Sequence, residues 1–132
     1  MRMQELFNKI TAHLLKQGEK SILSGSDREN PDSPLCRYRS TNEKGAVLKC
    51  AVGILIPDEL YHTSIEYRSA RNKEVAESAG LHYDAVDYRG MCSGPEIDLA
   101  VSLQQIHDNK PVTDWPFEFA RIAKMFRLNN GN

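Results

Sequence analysis

The chain has no apolar run approaching the roughly 18 residues that a membrane span requires. Its first residues, Met-Arg-Met-Gln-Glu-Leu-Phe-Asn-Lys, lack the apolar core of a signal peptide, so the expected location is the cytoplasm. Large charge of either sign is missing too: the net charge is −1. Residues 1–50 hold nine Lys/Arg against six Asp/Glu, and residues 51–132 hold eight against twelve, giving +3 and −4. That balance argues against a nucleic-acid surface, which needs a clustered basic stripe. Three cysteines, an odd number without an export signal, suggest reduced thiols rather than a disulfide framework.

Metal-ligand spacing is also absent. Cys36, Cys50 and Cys92 lie far apart, as do His13, His62, His82 and His107, and none forms a close ligand pair. No phosphate-binding Gly-x-x-x-x-Gly-Lys, no Gly-x-Gly-x-x-Gly and no Gly-x-Ser-x-Gly elbow occurs. No metal, no cofactor and no catalytic residue is therefore assigned. A Cys50 nucleophile would need His107 as base and Asp108 to orient it. Adjacent residues at a helix end are expected to point apart, which leaves His107 as a residue suited to a helix C-terminus.

What is present fits one domain of 132 residues, α+β in class and mainly helical, with one β-hairpin at about 35–52. Met3, Leu6, Phe7, Ile10 and Leu14 step at helical spacing and predict a helix over about 3–17, ended by Gly18. Residues 24–34 are polar and rich in Pro, Gly and Ser, and read as an exposed flexible loop. Pro57 predicts a short helix to about Tyr61. Val75, Ala76 and Ala79 give a thinner helical stripe over 64–79, ended by Gly80. Residues 81–94 read as loop. Helices follow at about 95–108 and 114–127, the second capped by Thr113 and packed on the first helix.

Leu35–Ser40 and Ala46–Val52 flank the loop Thr41–Gly45 and form the hairpin. With the loop centred on Glu43, Cys36 faces Cys50 and Tyr38 faces Leu48 on one side of the ribbon. Arg37 faces Lys49 on the other, with Arg39 beside them. The facing cysteines are either buried as small apolar groups or form a redox-active pair. Like charges across a ribbon are unfavourable and call for compensation. Either internal acids supply it, with Asp58 and Glu59 nearest in sequence, or the face binds an anion through its arginine forks. On the second reading Arg37, Arg39 and Lys49 bind the ligand, and Tyr38 or Tyr61 stacks on a base if the ligand is a nucleotide.

Gln4–Lys9, Cys36-Arg37-Tyr38-Arg39, Leu48–Gly53, Leu55–Tyr61, Leu103–Asp108 and Trp115 together resemble a family of small hypothetical proteins of bacteria and their phages. The resemblance spans most of the chain. Here Ser40–Ala46 is longer than the family pattern, and residues 62–94 depart from it most. The resemblance implies no established activity. The leading expectation is a non-catalytic binding protein that recognises a host protein or an anionic small ligand, with no membrane partner. Its rivals are a phage counter-defence protein that sequesters a nucleotide signal and a small enzyme acting on a phosphorylated substrate.

Overall fold

The first apolar stripe forms helix α1, Arg2–Gln17, in a computed structural model that describes residues 2–22, 37–66 and 68–130. Leu6, Phe7, Ile10 and Leu14 are buried on one face. Gly18 ends the helix at φ +66°, and its N–H bonds the Leu14 carbonyl at 2.9 Å. Helix α2 is short, Lys73–Ser78, while α3 covers Pro95–Asn109 and α4 covers Trp115–Met125. Helices α1, α3 and α4 pack on one another, so the last helix does meet the first, in the company of α3. Ile10, Leu14, Leu99, Leu103, Trp115 and Phe119 are all buried in this core.

The hairpin forms two residues out of the expected register. Strands β1 (Arg39–Thr41) and β2 (Val47–Lys49) pair Arg39 with Lys49, Ser40 with Leu48 and Thr41 with Val47. Asn42 sets this register. Its side-chain oxygen accepts from the N–H groups of Lys44 at 2.9 Å and Ala46 at 3.0 Å, and its N–H reaches the Ala46 carbonyl at 3.0 Å. The loop is thereby shortened to three residues, with Gly45 at φ +80°. A shift of two keeps every side chain on its expected face, because the strand period is two. Tyr38, Leu48 and Cys50 are buried together. Opposite Cys50 stands Tyr38, whose carbonyl takes the Cys50 N–H at 3.3 Å. Cys36 and the 24–34 loop lie outside the described residues.

Other expectations needed correction as well. The 64–79 helix shrinks to α2 because Asn72 caps it, accepting from the Glu74 and Val75 N–H groups. Single 3-10 turns occupy Gly53–Leu55, Asp58–Leu60 and Thr63–Ile65. The stretch read as loop holds a second small hairpin, β3 (Ala85–Val86) with β4 (Cys92–Ser93). Thr113 lies inside a 3-10 turn, Val112–Asp114, and Asp114 rather than Thr113 precedes α4. Among the described residues no helix is long and apolar enough to cross a membrane.

Candidate functional site

The three cations of the hairpin do not act as one face. Arg39 and Lys49 converge on Asp58, at 2.8 Å and 3.8 Å. Arg39 also donates to the Ile56 carbonyl at 3.0 Å, and its guanidinium lies 4.4 Å from the centre of the Tyr61 ring. Asp58 is thus one of the compensating acids that the sequence offers, while Glu59 makes no ion pair among the described residues. One face of Tyr61 is taken by Arg39. Lys49 is held further by its backbone: its N–H bonds the Gln17 side chain, and its carbonyl takes Gln17 and His13, both at 3.0 Å. These contacts fasten β2 to α1.

Arg37 turns elsewhere, to Glu66, an acid that no sequence pattern singles out. Glu66 is only 6% exposed. One of its oxygens accepts the Tyr38 N–H at 2.8 Å. The other accepts the Arg39 N–H at 3.2 Å and the Tyr61 hydroxyl at 2.6 Å, and Arg37 Nε stands 3.7 Å from it. The buried carboxylate is therefore met by three hydrogen-bond donors from two segments and, at ion-pair distance, by Arg37. Burial, followed by the bond to Glu66, raises the Tyr61 pKa. Burial also raises that of Tyr38, whose hydroxyl donates to the Arg68 carbonyl.

Beside this pair opens a cleft of about 290 Å³. Tyr38, Cys50, Ala70 and Val101 give it apolar walls, and Arg37, Glu66, Gln104 and Asp108 give it polar ones. Val101, Gln104, Gln105 and Asp108 come from one face of α3, spaced at i, i+3, i+4 and i+7. Gln104 is fixed at both ends, accepting from the Val52 N–H at 3.0 Å and donating to Asp108 at 2.7 Å.

Asp108 and His107 do not point apart. The Gln104 amide draws the Asp108 carboxylate back over the last helical turn, where it meets His107 Nδ1 at 2.8 Å. His107 is fully buried, with its ring stacked on Trp115 at 5.7 Å. Its Nε2 lies 2.9 Å from the Ser21 N–H. A backbone N–H can only donate, so Nε2 accepts and the ring proton sits on Nδ1, facing Asp108. His107 is accordingly a structural link rather than an exposed helix-end cation. Cys50 is buried as well; its sulfur accepts the Gly53 N–H at 3.3 Å, and burial pushes the thiol pKa up. Among the described residues no three His, Cys, Asp or Glu side chains converge on a metal position. On the far side of β2 a more open groove of about 540 Å³ runs past His13, Lys49 and Ile54. No family model, curated protein or solved structure matches the chain.

Proposed function

We propose that this chain is a non-catalytic binding protein that takes the acidic group of a small ligand at the Arg37 cleft. One observation carries the reading. Arg37 lines the cleft with no ion pair closer than the 3.7 Å between its Nε and Glu66, and that buried Nε has no hydrogen-bond partner among the described residues. A guanidinium so loosely paired beside an open cleft suits capture of a carboxylate or phosphate through its planar fork. The cleft volume stands near the lower end of the range for small-molecule sites, roughly 300 Å³. Arg39 and Lys49 support the site from behind by neutralising Asp58. A cytoplasmic location, where such anions are plentiful, belongs to the same proposal. Turnover is not favoured, because the thiol bordering the cleft is held protonated by burial.

The test is a thermal-shift screen at low ionic strength with inorganic phosphate, mono-, di- and cyclic nucleotides and dicarboxylates. At least one anion raises the melting temperature, a ligand at a hundred times its Kd adding about 2.7 kcal/mol. Arg37→Gln removes that shift. Failure of every anion, or an undiminished shift in the variant, overturns the proposal, and conversion of a bound anion to product overturns its non-catalytic part.

A further inference from the structure

The cleft is bipolar. Arg37 offers donors at one part of its wall, and Asp108 offers an acceptor at another. Asp108 Oδ1 is occupied by Gln104 and His107. Its second oxygen has no partner among the described residues, and the side chain is 33% exposed. Lys20 reaches the main-chain carbonyl of Asp108 at 3.5 Å, and no ion pair of Lys20 with the carboxylate is found among the described residues. Arg68, also at the cleft, is engaged by Glu74 at 3.1 Å.

We infer that the occupant of this cleft is a small zwitterion, an amino acid or short peptide, with its carboxylate on Arg37 and its ammonium on Asp108. The inference rests on the reading of Arg37 as the anion-binding group. A purely anionic ligand placed there would bring its charge toward Asp108, whose carboxylate pairs with no Lys or Arg among the described residues, whereas Glu66 is already met by three hydrogen-bond donors and by Arg37. An ammonium beside the open Asp108 oxygen turns that repulsion into a charge-assisted hydrogen bond. The carbon skeleton between the two charges would lie along Tyr38, Ala70 and Val101.

The two poles are also held in fixed relation. Asp108 accepts from His107 Nδ1, His107 Nε2 accepts from the Ser21 N–H, and the Ser21 carbonyl accepts the Arg37 N–H at 2.9 Å. This chain of three bonds runs from one pole to the other, so little ordering is left to the moment of binding.

The experiment is calorimetric titration of the wild-type protein with the best hit from a thermal-shift panel of amino acids and dipeptides. The same compound is titrated as its N-acetyl form, which lacks the cation, and as its C-terminal amide, which lacks the anion. Both blocked forms bind at least about tenfold more weakly than the parent. Asp108→Asn keeps an oxygen for Gln104 and His107 but loses the charge, and it narrows the gap between parent and N-acetyl form to about threefold or less. An N-acetyl form that binds as tightly as its parent overturns the inference. So does a panel without a hit when phosphate or a nucleotide binds at Arg37, and in both cases the anion reading stands. Absence of binding by every zwitterion and every anion overturns both.

Discussion

Gly53 has no room for a side chain. A Cβ placed on it would lie 2.0 Å from the Tyr38 carbonyl oxygen and 2.9 Å from the carbonyl carbon, both backbone atoms that cannot swing aside. Its role is close approach, which lets the turn after β2 press against the base of the hairpin that carries Arg37 and Tyr38. Gly53→Ala therefore forces the two segments apart and costs about 1–3 kcal/mol, the usual range for overpacking. A urea or thermal melt of the variant measures this, and an unchanged midpoint would contradict the close packing. Arg37 and Glu66 illustrate the same dependence on position. Neither residue is unusual in the sequence, and the site arises from an ion pair bridging 29 positions, at 3.7 Å.

At the scale of elements, α1 and β2 are joined by His13, whose Nε2 lies 3.0 Å from the Lys49 carbonyl. Burial, the largest cause, lowers the His13 pKa below 6.5, and the nearby Lys49 charge lowers it further. The unfolded chain then binds the proton more readily than the folded one. The contribution of His13 to stability is present above pH 6.5 and is lost as pH falls through 6.5 toward the folded value. Melting temperatures measured between pH 7.5 and 5.5 should fall less steeply for His13→Gln than for the wild type, and equal slopes would contradict the assignment.

Elements with a strong internal signal were legible in the sequence, and elements decided by single side chains were not. The stripes of α1, α3 and α4 and the glycine ending α1 could be read because burial repeats at helical spacing. The faces of the first hairpin were legible, while its register was not, because Asn42 closes the loop with side-chain bonds that no alternation reveals. Two-residue strands such as β3 and β4 are too short to show a period. Of the candidate site, Arg37 and Tyr38 were visible as a basic and an apolar position, and Asp58 as a neutralising acid. Glu66 was not, since it lies in a segment without periodic pattern and 27 residues from Arg39. The row Val101, Gln104, Gln105 and Asp108 was the available signal for the second wall, a polar edge beside the buried stripe of α3.

For the molecule as a whole, the three-helix core serves as a base on which the hairpin and the 61–70 segment assemble a buried carboxylate, and the cations around it divide between two tasks. Arg39 and Lys49 are spent on Asp58 and on holding β2, while Arg37, 3.7 Å from Glu66, lines the cleft proposed to take a ligand. The most direct measurement of that division is a calorimetric titration of wild type, Arg37→Gln and Arg39→Gln with the anion that gives the largest thermal shift. The account predicts that Arg37→Gln abolishes binding without loss of fold. It predicts that Arg39→Gln costs about 1–2 kcal/mol of stability yet leaves affinity within about threefold. Binding that survives Arg37→Gln, or is lost in a folded Arg39→Gln protein, would contradict it.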